Sequence, residues 1–230
     1  MPTRVVPIPM LVSNSFLVCG ERAVIVDTGN PGRAGTMLRR LRQTGFQPAD
    51  VSLILLTHGH IDHFGAAREL KERTGAPVAI HVLDAPALRS GRNPPLHPSR
   101  VSGHLLRPFF QHQHAPPLEP DILLQDGASL HEFGIAASVM HTPGHTPGSV
   151  SVLAEPDELI AGDLLIGGHL GGHVLPRRPN LPYFLDDLPQ TWSSISRICD
   201  LPIERVHVGH GGPIQADAVR NWLRNRRESR

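Results

Sequence analysis

The chain has 230 residues, a formal net charge of +1, 40% hydrophobic and 19% charged residues, which is the balance of a folded globular chain and excludes a disordered one. The near-neutral charge excludes the basic field that nucleic acid demands, and no apolar run reaches the roughly 20 residues of a membrane-spanning helix. Two cysteines, Cys19 and Cys199, are too few for a cysteine zinc site and read as reduced thiols of a cytoplasmic protein; MPTRVVPIPMLV lacks a secretory apolar core, so export is not expected.

In chain order, SFLVCGERAVIVDTG reads as two short strands joined at Gly20–Glu21. RAGTMLRRLRQTG, Arg33 to Gly45, is an amphipathic helix with Leu38 and Leu41 on its apolar side and Gly45 as a stop. VSLILLTH is a continuous aliphatic strand of the kind buried on both faces. HFGAARELKERTG is the next helix and PVAIHV another buried strand. From Asp84 to Pro120, proline and histidine crowd together in GRNPPLHPSR and QHQHAPPLEP, a mostly irregular insertion with one or two short helices; loops of this length often serve as lids. Strand signals resume in ILLQDGASLHEFGIAASVMHT, SVSVLAE and ELIAGD. A helix in DLPQTWSSISRICDL, the strand RVHVGH and a helix over about 217–227 complete the chain. No linker divides it, so residues 1–230 are expected to form one domain: two mixed β-sheets packed face to face with helices outside, an α/β four-layer αββα sandwich.

The densest chemistry lies in LLTHGHIDHFGAA. His58, His60 and Asp62 are spaced by two and point the same way in an extended segment, whereas His63 breaks that spacing where strand must turn to helix. Imidazoles and carboxylates are the ligands that zinc, iron and manganese favour. Four such residues exceed what one catalytic zinc uses with a position left open, which points to two ions and to further ligands elsewhere. His145 in HTPGHTPGS, Asp163 in ELIAGDLL and His210 in RVHVGHGGP are the candidates; each follows a strand-like run and is flanked by glycine.

THGHIDHFG, HTPGHTPGS, AGDLL and GHGG, in that order and after VIVDTG, resemble the metallo-β-lactamase superfamily, in particular its glyoxalase II-like hydrolases, over about residues 16–213. The resemblance implies the metallo-β-lactamase fold. It implies one metal on His58, His60 and His145, a second on Asp62, His63 and His210, and Asp163 bridging them. Asp27 matches a position that orients ligands by hydrogen bonds. The implied cofactors are two divalent cations, zinc first, with iron or manganese as alternatives. The implied reaction is attack of a metal-bridging hydroxide on a small ester, thioester or related substrate, with Asp62 steering the nucleophile's proton.

Asp163 stands where one lactamase class has cysteine and another lacks the aspartate, so antibiotic hydrolysis is disfavoured against thioesterase-, lactonase- or phosphodiesterase-like chemistry. Ile166 replaces the tyrosine of the family's lactonases, and neither charge nor insertion resembles the RNA-binding arm of its tRNA-processing nucleases. Glyoxalase II proper has a C-terminal helical domain for glutathione that the resemblance does not reach. The alternative is a mononuclear iron persulfide dioxygenase using the positions of His58, His145 and Asp163, which leaves His210 without a task. Near the mouth, His169, His173, Tyr183 and Phe184 are candidate substrate contacts, and Arg177 and Arg178 candidate anion binders. His112 and His114 read as loop residues, His141 as a brace for the His145 turn, and Trp192 and Trp222 as helix-face core. The expected partner is a small-molecule substrate, with no nucleic acid and no membrane; a homodimer is left open.

Overall fold

A computed structural model describes residues 3–228. The first sheet takes its six strands in chain order: β1 (Arg4–Pro9), β2 (Asn14–Cys19), β3 (Ala23–Val26), β4 (Val51–Leu55), β5 (Val78–His81) and β6 (Ile122–Leu124). β1 to β3 are antiparallel; β3 to β6 are parallel and need crossovers. These are α1 (Ala34–Gln43) after β3, α2 (Ile61–Phe64) and α3 (Ala67–Thr74) after β4, and α4 (Ala85–Ser90) and α5 (Val101–Gln111) after β5.

Next come β7 (Ala137–His141), β8 (Val150–Ala154) and β9 (Glu158–Ile160), then a separate hairpin of β10 (Ile166–His169) and β11 (Val174–Asn180). They are followed by α6 (Leu188–Cys199), β12 (Arg205–His207), β13 (Ile214–Gln215) and α7 (Ala216–Glu228). The second sheet has the order β13-β12-β9-β8-β7, with β12 parallel to β9 and its other neighbours antiparallel.

Side-chain alternation explains the layers. On β2, β3 and β4, Leu17, Ile25 and Ile54 face outward into a core with α1 and α3, through Met37, Leu41 and Leu70. The alternate residues Phe16, Val24, Val26, Leu53 and Leu55 face the other way and meet Val139, Val150 and Val152 of the second sheet. A third core joins the far side of that sheet to α6 and α7 through Leu159, Val206, Ile195 and Val219. Both faces of the central strands are buried, which is why their sequence shows continuous aliphatic runs. The result is the αββα sandwich expected.

Three strands lie outside the expectation. β1 is an edge strand carrying Pro7 and Pro9, tolerable where no further strand must be paired. β10 holds two glycines in four residues, so alternation has few side chains to report it, and its partner β11 carries Pro176 and Pro179. The 84–120 insertion carries two helices, the upper number expected, although α5 runs to 11 residues. Neither Cys19 nor Cys199 is in a disulfide, and among the described residues no helix is long and apolar enough to cross a membrane.

Ile54 is fully buried where α3 and β4 pack, so Ile54→Ala should lower unfolding free energy by about 2–5 kcal/mol. Phe109→Ala, at a residue 74% exposed, should change it by less than about 0.5 kcal/mol; urea titrations of both variants check the contrast.

Candidate metal centre

The chemistry-bearing residues all follow strand ends. Asp27 follows β3, the His58–His63 turn follows β4, His145 lies between β7 and β8, Asp163 follows β9 and His210 follows β12. β3 and β4 are parallel in one sheet and β9 and β12 in the other, and the donor atoms that follow their C-terminal ends meet at one edge of the sandwich. Two trios of donor atoms result, His58–His60–His145 and Asp62–His63–His210, the atoms of each within 4.8 Å of one another. Asp163 stands between them: Oδ2 is 3.1 Å from His210 Nε2 and 3.9 Å from His145 Nε2, and Oδ1 is 3.6 Å from His63 Nε2. A third grouping, His58–His63–Asp163, links the trios. All seven sequence-derived ligand candidates therefore converge.

Hydrogen bonds fix which ring nitrogen each histidine presents. Asp27 is buried, with Oδ1 accepting from Thr57 N at 2.8 Å. Its Oδ2 accepts from both His63 Nδ1 and Thr57 Oγ1, each at 2.8 Å. Since the Thr57 hydroxyl gives its proton to Asp27, it accepts from His58 Nδ1, 3.0 Å away. His145 Nδ1 donates to the Phe184 carbonyl and His210 Nδ1 to the Val12 carbonyl, both at 2.9 Å. Four imidazoles thus turn Nε2 inward as a ligand atom, while His60 presents Nδ1, 3.0 Å from His145 Nε2. Asp27 holds φ at 60°, an uncommon angle for a residue with a side chain, and so serves both trios through one strained position.

The electrostatics divide the cluster. Burial pushes His58 and His145 down and His60 to about 3, so three neutral imidazoles face one another. On the other side burial is outweighed by opposite charge. Asp62, Asp27 and Asp163 push His63 up to about 9, and Asp163 with Asp62 raises His210 well above its ordinary value. Against the effect of burial, Asp62 is drawn down to about 2 by His63 and His210, and Asp163 is held below the usual carboxylate range by the same two rings. His58 Nε2, His63 Nε2 and Asp163 Oδ1 are buried without a hydrogen-bond partner. Unpaired buried polar atoms are costly. Three of them, all ligand atoms aimed at one space, fit divalent cations.

Backbone packing leaves no slack. The Asn14 amide side chain donates to the Val208 and Gly211 carbonyls at 2.9 and 2.8 Å, tying β2 to the His210 loop. Gly209 passes so close that a Cβ there would collide with Asp163 Oδ1 and the His63 ring.

Asp84, read from sequence only as the start of the insertion, is a positioning residue. Its Oδ2 accepts from Gly59 N at 2.7 Å and Thr146 Oγ1 at 2.6 Å, and its Oδ1 accepts from Gly148 N at 2.8 Å. It therefore clamps the His58–His63 turn to the His145 loop. The one available signal was its place after a buried strand, shared with Asp27 and Asp163. Asn93 was missed as well: its Oδ1 accepts from Ile61 N and its Nδ2 donates to the Phe110 carbonyl, both at 2.8 Å.

A cavity of about 590 Å³ opens onto the centre, with His60, Asp62, His145, Asp163 and His210 in its wall. His169, Tyr183 and Phe184 line it. His173 is exposed, its Nδ1 donating to the Leu170 carbonyl, and Arg177 and Arg178 are exposed; none of these three lines the cavity. His112 and His114 lie outside it, both exposed on the insertion. His141 stacks on His81 and its Nε2 donates to the Pro147 carbonyl at 2.9 Å, bracing the turn as expected. Trp192 and Trp222 pack together on the third core.

Asp27→Ala frees the tautomers of His58 and His63 and should weaken divalent-metal affinity about 10–100-fold, measured by competition with a chromogenic chelator. Asp84→Ala strands two buried N–H donors and a hydroxyl and should cost about 2–4 kcal/mol in denaturant unfolding.

Residues 8–210 match the sequence profile of the metallo-beta-lactamase superfamily. The probable metallo-hydrolase YflN of Bacillus subtilis (strain 168) is 32% identical over 214 residues, covering 87% of this chain and 79% of that protein. The probable metallo-hydrolase MJ0888 of Methanocaldococcus jannaschii is 29% identical over 203 residues, 86% of this chain and 87% of that one. Among solved structures, a metallo-beta-lactamase family protein from Thermus thermophilus superposes with a TM-score of 0.68 at 26% identity, over 98% of this chain and 79% of that chain. Strand order, layering and the profile match agree: the chain belongs to the metallo-beta-lactamase superfamily.

Proposed function

We propose that this protein is a metal-dependent hydrolase of the glyoxalase II-like kind, holding two divalent cations and acting on a small ester or thioester. What carries the reading is the pairing of two donor trios across Asp163, with three buried ligand atoms that have no other partner. The similarity to YflN and MJ0888, both probable metallo-hydrolases, supports it.

In this reading His58, His60 and His145 would hold one cation and Asp62, His63 and His210 the other, with Asp163 shared. Zinc is the first choice for such a donor set, and iron or manganese suit it too. Bound there, the cations supply Lewis acidity and bring the pKa of water toward neutrality. The chain does the rest. Asp27 and Thr57 keep His58 and His63 in the ligating tautomer. The Asp62 carboxylate, ionised throughout the physiological range, orients the proton of the attacking water. Leu96, Leu106 and Phe110, from the 84–120 segment, wall the cavity and exclude bulk water from the scissile bond.

The test is metal quantitation on protein purified without added metal, beside an ester and thioester panel. Two divalent ions per chain and turnover that chelation abolishes and zinc or manganese restores are expected. Asp163→Ala and His60→Ala should each lower kcat/KM by about a thousandfold or more with an unchanged far-ultraviolet spectrum, several kcal/mol of barrier. Full activity after exhaustive chelation overturns the reading. So does one iron per chain with oxygen uptake on a persulfide, the signature of the dioxygenase alternative.

A further inference from the structure

We infer that the substrate carries an apolar chain next to its hydrolysable carbonyl and that the 84–120 segment and the β10–β11 hairpin together form the receptor for that chain; this rests on the hydrolase reading above. The cavity continues directly from the metal-ligand candidates, so whatever fills it is joined to the group that reacts. Away from those ligands its walls are largely apolar: Leu96, Leu105, Leu106 and Phe110 from the 84–120 segment, Phe184 packed against them, and Leu170 from the hairpin. Phe110 and Phe184 meet edge to face, 6.3 Å between centroids.

Two of these residues are unusually exposed for their type. Leu105 is 70% exposed and Leu170 is 72% exposed, although both line the cavity. Large apolar side chains on the two walls of an open cavity are what a bound alkyl group would cover. The walls are also tied to the chemistry. Asn93 joins the His60–Ile61 backbone to Phe110, and the Phe184 carbonyl receives His145 Nδ1. A chain lodged against the Phe110–Phe184 pair is therefore held in register with the centre.

Charge argues the same way. Among the described residues, Arg100 is the one Lys or Arg in the cavity wall. Its Nη2 donates to the Leu181 carbonyl, and its guanidinium lies 4.9 Å from the Tyr183 ring centroid. A substrate with several carboxylates or phosphates, such as a glutathione thioester or a nucleotide, would lack cations to meet them. In the reaction, water oxygen bonds to the acyl carbon, the acyl C–O or C–S bond breaks, and the departing oxygen or sulfur takes a proton from water, leaving a carboxylic acid.

The chain can sit on the acyl or the leaving-group side, and two series separate these: p-nitrophenyl esters from acetyl to dodecanoyl, and alkyl acetates of the same lengths. On the metal-loaded protein, kcat/KM in one series should rise about two- to fourfold per methylene until the cavity is full. Uncleavable methyl ketones of matching length, titrated calorimetrically, should tighten with the same slope. Leu105→Asp should flatten both slopes, whereas Val101→Asp, equally exposed on α5 but outside the cavity wall, should keep them. Metal-dependent turnover with flat or falling slopes, or preference for a glutathione thioester over every alkyl ester, overturns the inference while sparing the hydrolase. No turnover of any ester, with ketones still binding in proportion to length, removes the hydrolase and leaves the apolar receptor standing.

Discussion

Everything in this molecule is arranged around the cost of burying ionisable groups. Five imidazoles and the carboxylates of Asp27, Asp62, Asp163 and Asp84 meet where two sheets and their loops come together, and most have little contact with water. Such groups are tolerated only when paired. Asp27 is paired through Thr57 and His63, and Asp84 through Gly59, Thr146 and Gly148. What these bonds leave over is a set of inward-facing ligand-type atoms, His58 Nε2, His63 Nε2 and Asp163 Oδ1 among them without a partner, and divalent cations fit them. Two positioning carboxylates thus divide the labour: Asp27 orients the rings and Asp84 holds their loops together.

The sandwich makes that arrangement possible. The central strands are buried on both faces, so strand ends are held by three hydrophobic cores and cannot drift. A ligand just beyond a strand end inherits that rigidity. Parallel pairing gathers the ends of β3 and β4 in one sheet and of β9 and β12 in the other, and the two sheets pack with those ends at the same edge, where residues as distant as His58 and His210 converge.

How much of this could be read beforehand depends on whether a property is local. The spacing of His58, His60, Asp62 and His63 is visible in six residues, and the aliphatic strands announce two-sided burial, so the candidate ligands and the layers were legible. Asp84 was not: one carboxylate after one strand has no spacing to betray it, and its partners lie 25 and 62 positions away. β10 escaped because glycines carry no alternation, and β1 and β11 because prolines obscure a strand pattern. The apolar character of the cavity was hidden for a further reason. Leu96, Leu105, Leu170 and Phe184 look unremarkable one by one, and only the fold makes them neighbours.

This separation has a functional consequence. The candidate ligands sit on strand ends that the fold cannot vary without losing its cores. The cavity walls come from the 84–120 segment and the β10–β11 hairpin, which lie outside both main sheets. Changes there can alter what is accepted without disturbing what reacts, provided Asn93 and the Phe184 carbonyl stay in place. One scaffold can therefore keep its chemistry while its substrate changes. For this chain the informative differences from its relatives are the side chains of α5 and the hairpin, since the histidine motifs speak to the metals and are silent on the substrate.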